Sequence, residues 1–173
     1  RSLVKKQPKN ISAWALLAET LINRNELKEV ATVVIPTMRG IIGNGNSTLA
    51  EMTQGRLFMR SSPPDATRAR TCFIRALEQS PQMNLASEEL LRANALLGNA
   101  DYLESDVQVI LKHQPAHVAA NAILGSRRLS QKRYAESEKL LLQSIKSQPT
   151  AGALNDLATL LSLTANYREA EKQ

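Results

Sequence analysis

Pro81, Pro115 and Pro149 stand 34 residues apart. Proline cannot continue an α-helix, and it biases the residue before it away from helical backbone. Each of these prolines therefore closes a segment. The stretch 118–149 shows what each segment contains. Leu124-Gly125 lies in a first amphipathic run, Lys132-Arg133-Tyr134 makes a polar turn, and Ser137, Leu141 and Ile145 carry a second run that Pro149 ends. A fixed period of this length marks an array of helical hairpins. Sustained apolar/polar alternation is absent, so the expected fold class is all-α.

The period divides the chain into the tail of a preceding hairpin (1–9), hairpins at 10–46, 47–83, 84–117 and 118–150, and a shortened one at 151–173. Asn10 is placed to cap the first helix, in which Trp14, Leu17 and Leu21 form a buried stripe. Asn25-Glu26 makes the first turn. Pro36 is expected to bend or end the second helix, and Gly40–Ser47, rich in glycine and asparagine, reads as a loop. Thr48 with Glu51 fits a capping box. Asp65 or Thr67 caps the next helix, which carries Phe73, Ala76 and Leu77. A turn falls near Gly98–Asp101, and Thr150 caps the last hairpin, whose second helix starts at Tyr167. Leu3-Val-Lys-Lys-Gln-Pro8 parallels Ser144-Ile-Lys-Ser-Gln-Pro149, so the chain reads as a piece of a longer array. Uncovered apolar residues such as Leu3, Val4, Leu154, Leu157, Leu161 and Tyr167 would then favour weak self-association through its ends.

The positions of these residues resemble the tetratricopeptide repeat family. Trp14, Leu17-Ala18 and Leu21 fill the first-helix slots of the opening hairpin. Ala69, Phe73, Ala76 and Pro81 fill the second-helix slots of the next. Leu90, Gly98, Leu103, Val107, Ile110 and Pro115 match in the third. Leu124-Gly125, Tyr134, Ser137, Leu141 and Pro149 match in the fourth. Leu154, Leu157-Ala158, Leu161, Tyr167 and Ala170 match in the fifth. Arg128 and Asn94 depart from the pattern, standing where an apolar side chain is usual. In the third hairpin Tyr102 and Ser105 fit the turn-aromatic and small-residue slots equally well, in a register shifted by two.

The resemblance implies a right-handed superhelix of antiparallel helix pairs and a concave groove that holds a peptide or protein segment. Carried over by register, its groove positions are Ala15, Glu19 and Asn23, then Glu88, Glu89 and Arg92, then Ala119, Ile123 and Ser126, then Asn155, Asp156 and Thr159. One branch of the family clamps a C-terminal carboxylate with Lys, Asn and Arg side chains. The matching slots here hold Glu88, Glu89, Ala122, Ile123 and Asp156, which do not suit that chemistry.

Other chemistry finds less support. His113 and His117 lie four apart, but Pro115 between them ends the helix, so they read as exposed loop histidines and not as metal ligands. Cys72 reads as a small buried hydrophobe. Gly40, Gly43 and Gly45 lack the lysine and the strand–helix setting of a phosphate loop. The net charge is +6. Its basic clusters (Arg56/Arg60, Arg68/Arg70/Arg75 and Arg127/Arg128/Lys132/Arg133) are not interleaved with stacking aromatics, since aromatics make up only 3% of the chain. They read as solvated helix faces, with Arg128 covering apolar surface by its stem and keeping its head in water. No run reaches the roughly 18 apolar residues of a membrane span. The expected role is a non-catalytic interaction scaffold, with protein or peptide partners, no nucleic acid, no direct membrane insertion and no cofactor. The alternative is a scaffold region attached to a catalytic or membrane-associated domain elsewhere in a longer chain.

Overall fold

The computed structural model describes the backbone of residues 1–43, 45 and 47–170, with side chains through residue 165. The Tyr167 and Ala170 side chains invoked above lie outside the described residues. The chain is helical, with no strand among the described residues, and it divides into two compact units, Arg1–Asn99 and Ala100–Gln173. The division falls at the turn of the third predicted hairpin, where Gly98 adopts left-handed backbone (φ 63°).

Unit 1 contains α1 (Ser2–Lys6), α2 (Ile11–Asn23), α3 (Leu27–Glu29), a π-helical segment Val30–Val34, α4 (Ile35–Ile42), α5 (Thr48–Arg60), α6 (Ala66–Gln79) and α7 (Asn84–Leu97). The caps follow local chemistry. Asn10 Oδ1 accepts the Ala13 N–H at 3.2 Å, and Asp65 Oδ1 accepts the Arg68 N–H at 3.0 Å. The expected capping box at Thr48 does not form. Ser47 is the cap residue, and the Thr48 hydroxyl reaches across to Ser80 Oγ at 2.9 Å. Position 48 lies opposite the end of α6, so a tertiary partner wins over the local one.

Pro36 does not end the helical run. The preceding turn widens, with the Ile35 N–H bonding five residues back to Val30 O, and Pro36 enters at the start of α4, where its missing donor costs little. Val30, Val34 and Met38 still form one fully buried stripe through this change of pitch. The helix also runs through Gly40 to Ile42, so the loop is shorter than predicted. Trp14 packs against this core only in part, half-buried, with its indole N–H donating to Pro8 O at 2.8 Å.

Helices α5 and α6 meet with almost no gap. A Cβ added at Gly55 would lie 2.5 Å from the Phe73 ring, and Phe73 itself is fully buried. Gly55→Ala should therefore destabilise the chain by about 1–3 kcal/mol through overpacking, outweighing the roughly 1 kcal/mol that alanine adds to helix propensity. Urea denaturation checks this, and an unchanged or raised midpoint would mean that the ring moves aside freely.

Unit 2 contains α8 (Ala100–His113), α9 (Val118–Ser130), α10 (Tyr134–Ser147) and α11 (Ala151–Ala170). Gly125 repeats the close approach, with an added Cβ 2.9 Å from Leu141. The Ser137 and Ser144 hydroxyls donate across the same pair of helices, to Gly125 O at 2.8 Å and Val118 O at 3.0 Å. These buried serines tie α10 to the backbone of α9 without leaving a polar group unmet. His117 is not an exposed loop residue. It is buried, and its Nδ1 accepts the Ala120 N–H at 3.2 Å to cap α9. Thr150 caps α11 as expected, accepting the Ala153 N–H at 3.3 Å. The predicted break before Tyr167 is absent: 151–170 is one helix, and the intervening Ser162-Leu-Thr-Ala-Asn166 carries neither glycine nor proline to stop it.

Candidate functional site

A groove of about 590 Å³ crosses α2, α5 and α7 of unit 1. Each helix lines it with the same positions. Glu19, Ile22 and Asn23 of α2 correspond to Arg56, Met59 and Arg60 of α5, and to Arg92, Ala95 and Leu96 of α7. A second hollow of about 250 Å³ continues from it toward the helix N-termini and shares Glu19, Ile22 and Arg56 with it. There the corresponding positions are Ser12, Leu49 and Leu85, with Met52 and Met83 beside them. The offset is 37 residues from α2 to α5 and 36 from α5 to α7. It differs from the proline period because the first two hairpins carry extra residues between and within their helices.

A chain of ion pairs crosses the groove. Arg56 Nη1 lies 3.6 Å from Glu19 Oε1, and its Nε donates to Glu89 Oε1 at 3.2 Å. Arg92 Nη1 donates to the other oxygen, Glu89 Oε2, at 3.1 Å. Glu89 is buried, so both carboxylate oxygens exchange water for guanidinium donors, the arrangement that makes burial of a charge tolerable. Arg60, at the end nearer the helix C-termini, is exposed and has no ion-pair partner among the described residues.

Of the residues placed in a groove from the sequence, Ala15, Glu19, Asn23, Glu89 and Arg92 do line these hollows. Glu88 is exposed on α7 outside them. The rest belong to unit 2. Ile123 and Asp156 are half-buried, and Ser126, Asn155 and Thr159 are exposed, with the Thr159 hydroxyl donating to Asn155 O at 2.9 Å. Sequence reasoning missed the whole contribution of α5, having read Arg56 and Arg60 only as a basic cluster. The signal was present: adding the offset to Ser12, Ala15, Glu19, Ile22 and Asn23 of α2 lands on Leu49, Met52, Arg56, Met59 and Arg60.

Unit 2 holds the second charged cluster. Arg128, expected to keep its head in water, is buried. Its Nη2 donates to Glu104 Oε1 at 2.7 Å and its Nη1 to Gln131 Oε1 at 2.8 Å, while Glu136 lies 3.6 Å from its Nε. Arg127 pairs with the same Glu104 carboxylate. The hydrogen bond from Arg128, reinforced by that from Arg127, holds the Glu104 carboxyl below its ordinary range. This cluster joins α8, α9 and α10. Burial, reinforced by the neighbouring Glu51 carboxylate, raises the Cys72 thiol to about 11. It is therefore protonated at neutral pH and a poor nucleophile. Among the described residues no three His, Cys, Asp or Glu side chains gather as metal ligands would, and no helix is long and apolar enough to cross a membrane.

No protein-family model and no curated protein matches the chain.

Proposed function

We propose that this chain is a non-catalytic binding module of the tetratricopeptide type, a right-handed stack of antiparallel helix hairpins. A peptide or protein segment lies across α2, α5 and α7. The observation that carries the reading is the groove itself. Three helices, each from a successive hairpin, present the same helical positions to two hollows that share Glu19, Ile22 and Arg56. Stacked repeats produce such surfaces because each hairpin adds a small rotation to the last. The lining mixes apolar side chains with a few fixed charges, the usual make-up of a recognition groove. The basic clusters speak against nucleic acid: Arg56, Arg127 and Arg128 are committed to carboxylates inside the molecule, and Arg133 pairs with Glu136 at 2.6 Å.

Selection of peptides from a random displayed library on the full chain tests the proposal. Enriched peptides should compete with one another, and Arg60→Glu or Leu16→Asn should weaken them, since both side chains are exposed and replaceable without disturbing the core. Failure to enrich any peptide would sink the reading, as would binding indifferent to both substitutions.

A further inference from the structure

The two hollows differ in chemistry, and the difference describes an occupant. At the end nearer the helix N-termini, Leu16 and Leu85 are substantially exposed (56% and 40%) over a floor that includes Met52. Two of the chain's four methionines, Met52 and Met83, line this end, and Met59 lines the other hollow. Unbranched, polarisable methionine adapts its shape to varied apolar side chains, so this end suits a bulky apolar anchor without demanding one shape. In the middle, Arg56 is spent on Glu19 and Glu89. At the far end the balance is positive, because Arg60 has no carboxylate partner among the described residues and Arg92 uses one Nη on Glu89 while its side chain remains 65% exposed.

We infer that the groove of unit 1 takes a short acidic peptide segment, with an apolar side chain seated at the methionine-lined end and an internal Asp or Glu carboxylate beside Arg60 and Arg92. The inference rests on the reading of the groove as a peptide site. Spacing along the helices sets the length. Arg92 follows Leu85 by 7 residues and Arg60 follows Leu49 by 11. At 1.5 Å of rise per residue these offsets span about 10–17 Å, which an extended chain covers in roughly three to five residues. Asn23, Ala95 and Leu96 complete the lining of the basic end; a side-chain carboxylate needs only the two guanidinium groups there, and a free chain terminus is one outcome of the test.

The test is fluorescence anisotropy with the full chain and short peptides, acetylated and C-terminally amidated, carrying a leucine anchor and an aspartate about four positions away, in both orders. One order should bind. Changing its aspartate to asparagine should weaken binding about three- to fivefold, as expected for a solvent-accessible ion pair. Moving the aspartate next to the anchor should have the same effect. Arg60→Ala should reduce the difference between the aspartate and asparagine peptides to the part that Arg92 supplies, and added salt should shrink it. Equal binding of the two peptides with the leucine still required would overturn this inference and leave the general peptide site standing. A requirement for a free C-terminal carboxylate would do likewise, as would a tenfold or greater preference for phosphoserine over aspartate. No binding by any of these peptides, together with an empty library selection, would remove both readings.

Discussion

Phe73→Ala should cost about 3–5 kcal/mol, among the largest losses any single side chain in unit 1 can produce. The ring is fully buried on α6, a helix that packs against both α5 and α7, and it fills the space that Gly55 leaves by having no side chain. Truncation removes the transfer free energy of the ring and leaves a cavity that two helices on either side cannot both close. Denaturant titration followed by circular dichroism measures the loss, and a change below about 1 kcal/mol would mean that the site collapses freely and that the packing is loose. The pair also predicts coupling. Gly55→Ala should cost less in a Phe73→Leu background than alone, because the Cβ then meets no ring. Since α5 and α7 carry Arg56 and Glu89, Phe73→Ala should loosen the groove as well as the core.

Glu104→Gln should destabilise unit 2 by about 2–3 kcal/mol at neutral pH, below the 3–5 typical of a broken buried pair because Arg128 keeps Gln131 and Glu136. The amide retains the shape and removes the charge that faces two guanidinium groups. The pH dependence has a definite sign. The folded-state pKa of Glu104 is depressed, so its contribution is complete above the ordinary carboxylate pKa and is lost as pH falls through the folded value. The stability gap between wild type and Glu104→Gln should therefore be widest near neutrality and close on acidification. A gap that stays constant down to low pH would show that the variant acts through packing and not through the lost charge.

The helices were largely legible before any coordinates, and the groove only in part. Asn10, Asp65 and Thr150 do what their side chains imply, because a cap is decided by a residue and the next three. Thr48 and Pro36 do not, because each answers to something several residues or a helix away. Glu19, Glu89 and Arg92 were placed in a groove by register, but not as members of one ion network. That required knowing that Arg56 stands between Glu19 and Glu89.

The sequence by itself determined that this chain is a succession of helices interrupted at set intervals. Helix formation and termination depend on apolar spacing, caps and breakers that lie within a few residues of one another, and the prolines at a fixed period mark them. Only the tertiary structure decided which charges are spent and which remain. Arg128 and Arg56 look on paper like Arg60, yet the first two are neutralised by carboxylates distant in sequence and the third has no partner among the described residues. An arginine's partner depends on which helix lies opposite it, and that follows from close approaches such as Gly55 to Phe73 and Gly125 to Leu141. A one-residue shift of α5 against Phe73 would turn different side chains into the groove.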